Sequence, residues 1–443
     1  MSRRALLLPG LPLFALAQLH VATFQADATP KVGDPVAYVA ARSIEDPLSA
    51  RGIVLLGSGA PIVLCAVDFI GIANEGHDYW RAELARAAGT TPDRVTVHTL
   101  HQHDAPRMDF GAEAWLRGVG LGGRSFNDEF GKAVVARTAA AIRAAIPRAQ
   151  QVTHVGAGQG RVEKVASNRR ILGADGKVKL ARMSSCKIPE AIAAPEGTID
   201  PVLRLVSFWN GEKAIASLTW YATHPQSYYG KGDVTAEFVG LARAVREKEA
   251  PGVAHIHFNG ASGNVAAGKY NDGSPKMRPV LRDRIATGMR AAWDSQRKVV
   301  APAVEWRTTT VRLPLANHLV REPLLAVLRD AKADYTQRLN AATALTVLAR
   351  GERGHATQLS CLRLGSIYAI FMPGELFVEY QLAAQKMRSG DTVAMAAYGD
   401  YGPGYIGTEI AYSQGGYEVS ERSSRVAPGV EAVLMEGMRR LLR

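Results

Sequence analysis

The stretch HTLHQHDAP, His98 to Pro106, places three histidines, an aspartate and a proline within nine residues, directly behind the strand-like run RVTV. Imidazole is both the commonest protein ligand for transition metals and the commonest general base near neutral pH. If the run stays extended, alternate residues share a face. His101 and His103 then point one way and His98 the other, which leaves His98 a structural role. By itself an HxH pair serves equally well as ordinary polar or core histidines. A metal site needs further ligands from elsewhere in the chain.

Other segments repeat the layout of a strand that ends in chemistry. LTWYATHPQSYY ends a strand near His224, IYAIFMPGELFVEY turns on Pro373-Gly374 into Glu375, and AMAAYGDYGPGYIGTE enters a glycine-rich turn with Tyr401 and Tyr405. In open α/β sheets, ligands collect where rigid strands feed loops at their carboxyl ends. Two histidines and one glutamate from separate segments, with a position left open, form a catalytic zinc set. The joint occurrence points to a Zn2+ site at the strand ends.

The elements that must hold these residues are legible in outline. GIVLL and PIVLCAVDF read as neighbouring strands, and DYWRAELARAAG as an amphipathic helix closed by Gly89. The strand RVTVHTLH follows, then a helix from Asn127 as N-cap to Pro147. Further strands are expected at VTHVGAG, PVLRLVSFW, KAIASLTWYAT, VAHIHF, VEWRTTTVRL, LSCLRLGSIYAIF and TVAMAAYG. Helices are expected near 236–249, 279–295, 323–350, 375–388 and 428–442, and extended loops over 156–200. Strands and helices alternate without a Pro/Ser-rich linker. The reading is α/β, a single large domain over 19–443 with a mixed β-sheet flanked by helices.

Composition narrows the function class. The 53 Lys+Arg exceed the 41 Asp+Glu, but the excess is scattered arginine, and no stretch interleaves basic and aromatic residues as a nucleic-acid module would. A solvated basic surface or a positive site for an anionic substrate both fit. The three cysteines, Cys65, Cys186 and Cys361, argue against a disulfide framework, and no CxxC zinc spacing exists. Any metal must then sit on histidine and carboxylate. MSRRALLLPGLPLFALAQLH reads as a possible signal segment over 1–18, with ALA at Ala15–Ala17 as its end, so a periplasmic or secreted location is expected, with a cytoplasmic one as the alternative. No transmembrane segment is expected. Oligomeric state leaves no mark on the sequence.

At this point the residues resemble the neutral/alkaline ceramidase family. LHQHDAP at Leu100–Pro106 is similar to that family's THTHSGP, Pro373-Gly374-Glu375 to its PGE, and YIGTEIAYSQGGYE at Tyr405–Glu418 to its YVTTxEEYxxxxYE. The upstream run DPLSARGIVLL…APIVLCAVDFIGI is similar to its opening strands. The likeness runs from about residue 20 to the end. It implies a zinc ion held by His101, His224, Glu375 and Tyr405, with His103 beside it to contact the reacting carbonyl. It also implies hydrolysis of an amide (N-acyl) bond in a small-molecule or lipid-like substrate.

The likeness has departures. The family's GDVSPN becomes GNVAAG here, which puts Ala266 at the serine position and Asn264 at the aspartate, while Ser262 lies nearby but out of register. Asp104 replaces a serine within the HxH motif. No C-terminal β-domain of the family is expected in a chain of this length. A catalytic zinc lowers the pKa of water to about 7 and supplies a nucleophile without any serine. Tyr405 and His103 are then expected to stabilise a developing oxyanion. Asp104 is a further catalytic candidate, and it and Asp68 could orient imidazoles from behind. Asn168, Arg169 and Arg170, Tyr228 and Lys231, and Asn264 are candidate substrate contacts on polar loops. Those loops are more polar than a cleft for two acyl tails requires. Two alternatives therefore stand beside the amidase: a zinc hydrolase or lyase for a polar, carbohydrate-like or anionic substrate, and a non-catalytic binding protein on the same fold.

Overall fold

The computed structural model describes residues 18–443; the signal segment expected at the N-terminus lies almost wholly outside them. The runs of β-branched and aromatic residues form three mixed sheets rather than one. The first contains β1 (His20–Asp27), β2 (Ser49–Leu56), β3 (Ile62–Val67) and, after helix α1 (Asn74–Ala88), β4 (Val95–Thr99); helix α2 (Asp128–Ala145) covers it. The second contains β5 (His154–Arg161), β6 (Val202–Asn210), β7 (Lys213–Tyr221) and, after α3 (Glu237–Glu249), β8 (Ala254–Asn259), with α4 (Met277–Asp294) packed on it. The third contains β9 (Val304–Val311), β10 (Thr357–Leu364), β11 (Ile367–Phe371) and, after α5 (Val378–Met387), β12 (Thr392–Ala396), covered by α6 (Val430–Leu441).

One connection occurs three times. An antiparallel pair (β2–β3, β6–β7, β10–β11) is followed by a crossover helix and a strand parallel to the second member (β4, β8, β12). Side-chain alternation then assigns the faces. Ile62, Leu64 and Ala66 of β3 join Trp220 of β7, Phe258 of β8 and Phe371 of β11 in one central apolar cluster shared by all three sheets. Val63, Cys65 and Val67 point outward to α1 and α2, just as Tyr368 and Ile370 point outward to the layer carrying Leu434 and Met438 of α6. The three parallel pairs run β3–β4, β7–β8 and β11–β12, and His101, His224 and Glu375 each follow one of them.

Several boundaries differ from expectation for local reasons. The strand through His98 stops at Thr99, and His101 takes a left-handed φ of 69°. The same-face argument therefore does not reach His103. LSCLRLGSIYAIF is not one strand but a hairpin turning at Gly365, whose φ of 61° breaks the pleat. The helix over 323–350 is two, Arg321–Arg329 and Tyr335–Glu352, because Asp334 and Gln337 form a reciprocal capping box that starts the second. Glu375 does not open a helix. It begins a short strand, Glu375–Leu376, paired parallel with Tyr405–Ile406, and α5 starts at Val378. The turn before it needs Gly374, since φ is 62° there and a Cβ would lie 2.7 Å from the Gly404 carbonyl oxygen.

Candidate metal centre

His98, the penultimate residue of β4, faces the central cluster. It is buried against Phe258 and Phe371, and its Nδ1 bonds to the Ala397 carbonyl at 2.7 Å. Two residues past the strand, the left-handed turn at His101 swings that imidazole out of the sheet. Its Nδ1–H donates to the Ile70 carbonyl at 2.7 Å, and its ring stacks on Tyr398, which is itself left-handed at φ 61°. Non-glycine residues in this region store strain that the surroundings must hold, as is common at functional sites. His224 lies three residues past β7, and its Nδ1–H is shared between the Ser262 and Val265 carbonyls at 2.7 and 3.1 Å.

Both imidazoles therefore have Nδ1 committed and present Nε2 to one atom, Oε2 of Glu375, at 3.2 Å from His101 and 3.0 Å from His224. All three side chains are buried, and one ligand atom from each lies within 4.8 Å of the others. Imidazole lone pairs facing a carboxylate oxygen repel it unless a proton or a cation sits between them. Ligands of a tetrahedral zinc at about 2.0–2.2 Å stand roughly 3.3–3.5 Å apart, so the donor set and its spacing fit a divalent cation with little movement. Backbone carbonyls that fix the imidazole tautomer are the usual support of such ligands. Burial alone would raise the Glu375 carboxyl, but the charges and hydrogen bonds of His101 and His224 hold it well below the usual range. Its Oε1 accepts a hydrogen bond from Tyr401 at 2.5 Å.

Around this cluster stand groups that can act on a bound molecule. Tyr405 pairs with Glu375 across the parallel two-stranded ladder, and its hydroxyl lies 3.3 Å from His224 Nε2. Burial raises its phenol well above the ordinary value, so it offers a neutral O–H. Arg169 donates to that oxygen at 3.1 Å and pairs with Glu418 at 3.2 Å. Burial would lower the guanidinium, but Tyr405 and Glu418 raise it overall. His103 lies with Nε2 3.4 Å from His101 Nε2 and bonds through Nδ1 to Tyr38 at 2.5 Å; burial holds it neutral by depressing its pKa well below the ordinary value. A cavity of about 340 Å3 opens from His101, His103, Glu375 and Tyr405.

The structure brings six of the sequence candidates together: His101, His224, Glu375, Tyr405, His103 and Arg169. It sets the others apart. Asp104 accepts the backbone N–H groups of Gly230 and Gly232 at 3.0 and 3.2 Å and so shapes that loop without touching an imidazole. Asp68 is held by Ser49 and Arg243, the latter at 2.7 Å, and orients no histidine. Tyr228 turns away to cover Arg278, while its neighbour Tyr229 stacks edge-on to His103. Lys231 is exposed. Asn168, Arg170 and Asn264 line a different cavity, of about 850 Å3, because successive residues of the loop point to opposite sides. There Arg170 pairs with Glu418 and Asn264 with Glu379.

Sequence reading missed Tyr38, Tyr398, Arg107, Tyr417 and Arg425. Tyr398 and Tyr417 stand inside stretches already singled out, AMAAYGDYGPGYIGTE and YIGTEIAYSQGGYE, and Arg107 follows HQHDAP directly; Tyr38 and Arg425 carried no local signal. Ala266 is fully buried beside Ser167, and Ser262 acts from behind, through its carbonyl to His224 and its hydroxyl to Tyr398 at 2.7 Å.

No protein-family model matches the sequence, and no curated protein matches it. Solved structures do match. One described as "Ceramidase complexed with C2" superposes with a TM-score of 0.70 at 16% identity, over 96% of this chain and 75% of that one. The neutral ceramidase from Pseudomonas aeruginosa gives a TM-score of 0.69 at 17% identity, over 96% of this chain and 74% of that one. The chain thus has a ceramidase-like α/β fold with several sheets flanked by helices. Among the described residues no helix is long and apolar enough to cross a membrane.

Proposed function

We propose that this chain is a zinc-dependent hydrolase that cleaves an amide (N-acyl) bond with water. The observation that carries the reading is the convergence of His101, His224 and Glu375 on one point at the floor of a cavity, on a ceramidase-like fold. Zinc bound there would lower the pKa of water and polarise the amide carbonyl. The protein groups have separate tasks. His101, His224 and Glu375 would hold the ion, with Tyr405 beside them as a fourth ligand or a hydrogen-bond donor. Arg169 donates to the Tyr405 oxygen, which leaves the phenolic proton free to be given to a carbonyl oxygen as it gains charge. Neutral His103, held by Tyr38, is placed to accept a proton from the attacking water or return it to the departing nitrogen. None of these tasks uses a serine at position 266.

A second reading, hydrolysis or lyase chemistry on a polar substrate, draws support from the lining: Tyr38, Tyr401, Tyr405 and Tyr417, with Arg107 and Arg425, line the cavity where two acyl tails would need apolar walls. Export to the periplasm or beyond belongs with either reading, from Arg3 and Arg4 ahead of an apolar run; the N-terminal sequence of the mature protein tests it. The deciding experiment measures zinc in the purified chain and in His224→Ala and Glu375→Ala, then assays short N-acyl amides beside ceramide. Stoichiometric zinc lost in both variants, with amide turnover lost alongside, is expected. Equal substoichiometric zinc in all three would remove the metal site, and zinc without amide turnover would hand the case to the polar-substrate reading.

A further inference from the structure

The cavity above the cluster is lined by Arg107, Arg425 and the exposed Arg422, and its single carboxylate, Glu375, is engaged by the two imidazoles. Arginines elsewhere in the interior are matched. Arg169, Arg243, Arg278 and Arg350 have carboxylate oxygens at 3.2, 2.7, 3.2 and 2.7 Å. Arg182, fully buried without a carboxylate, spends its Nη1 and Nη2 donors on five backbone carbonyls. Arg107 and Arg425 follow neither pattern.

A guanidinium carries five N–H donors. Among the described residues, Arg107 uses one nitrogen, Nη2, on the Ala37 carbonyl and the Ser125 hydroxyl; its buried Nε has no hydrogen-bond partner, as at Arg169, Arg182 and Arg243, but it lacks their carboxylates or run of carbonyls. Arg425 uses Nη2 on the Thr343 hydroxyl. Asp109, two residues from Arg107, is occupied by the Ala112 N–H and Asn74. Burial pushes both guanidiniums below their ordinary value, so each charge is held without the anion that would support it. Forked donors left open in a pocket match planar or tetrahedral oxyanions in geometry and charge.

We propose that Arg107 and Arg425 form an oxyanion subsite, so that the compound acted on bears a carboxylate, sulfate or phosphate group beside the bond that is cleaved. With the amidase reading above, on which this rests for the reaction, the substrate class is an N-acyl compound whose remaining part is an acid rather than a neutral long-chain base.

Calorimetric titration tests this without turnover, so its failure and that of the hydrolase reading are separable. The full chain as purified is titrated with 4-oxononanoic acid (the ketone analogue of N-hexanoylglycine, with no amide to cleave), its methyl ester, inorganic sulfate and inorganic phosphate, and the same series is run on Arg107→Met, Arg425→Met and the two Arg→Lys variants. The acid is expected to bind at least tenfold tighter than its ester. Each Met variant should lose about tenfold for the anions and nothing for the ester, with partial rescue by Lys. Preference among the free acid, sulfate and phosphate identifies which oxyanion the subsite takes. Anion binding equal in wild type and variants would place the anion on the metal cluster and overturn the proposal, as would equal affinity for acid and ester. Should one Met variant fail to fold, the other variant and the acid–ester ratio in wild type still decide.

Discussion

Arg169 and Arg170 lie side by side and divide the two oxygens of Glu418 between them at 3.2 Å each, in a region where every side chain of the trio is nearly inaccessible. Arg107 and Arg425, around the adjoining cavity, have hydroxyl and carbonyl partners but no carboxylate. The first pair has charge balanced within the fold; the second has charge left open toward a space. A buried ion pair is costly to break because the survivor is stranded, whereas an arginine already unpaired contributes little to folding and is kept for another reason.

The comparison can be broken or sharpened in graded steps. The largest effect belongs to Glu375, which both regions face. Loss of groups that merely support a metal ligand costs about 10–100-fold in metal affinity, so Glu375→Ala is expected to lower zinc affinity by about a hundredfold or more, read by metal analysis after dialysis against a competing chelator. Next, Glu418→Gln strands two guanidiniums and should cost about 3–5 kcal/mol in denaturant unfolding. Arg107→Met and Arg425→Met should stay within about 0.5 kcal/mol of wild type in the same measurement. If Arg107→Met costs as much as Glu418→Gln, Arg107 is structural and the contrast is gone.

Acid provides the third step, because the interior also carries imidazoles without anionic partners. Burial lowers His98 and His257 to about 3 and His255 to about 4. Each binds a proton in the unfolded chain below about 6.5 but not in the folded one, so stability falls as pH drops from about 6.5 toward 4. Each contributes at most about 1.4 kcal/mol per pH unit. Unfolding midpoints across that range should show the slope; a flat profile would mean these histidines find protons or partners when folded. A modest effect is expected from Ser262→Ala, which removes the hydroxyl bonded to Tyr398 but keeps the carbonyl bonded to His224. It should cost about 1 kcal/mol and leave zinc content unchanged.

What was legible in the sequence follows from how local each signal is. Buried strands such as VTVHT, KAIASLTWY and IYAIF announce themselves, and the residues just past them, His101, His224 and Glu375, inherit that clarity. Residue order on loops has no period to read, so Arg169 was found together with Arg170 and Asn168, which face the other cavity. Asp104 and Asp68 looked like supports for imidazoles, yet backbone N–H groups and Arg243 claim them. Tyr38 and Arg425 meet the cavity from segments far apart in the chain, where nothing in either segment hints at the other. Division of the strands into three sheets was equally hidden, since alternation reports that a strand has two buried faces but not which neighbour fills each.

The three repeated sheet units have a consequence for how a metal site at this cluster would assemble. Each unit delivers one member of the cluster, and His224 and Glu375 meet across 151 residues of sequence. No partly folded chain with one or two units assembled holds more than a fragment of the donor set. Capture of an ion at this site would then require all three units to be docked, and contacts of such long range form slowly. Metal present at a hundred times its dissociation constant would add about 2.7 kcal/mol to the finished state alone. An ion bound there would in this sense be a latch on assembly, since its site exists only once all three sheets are docked.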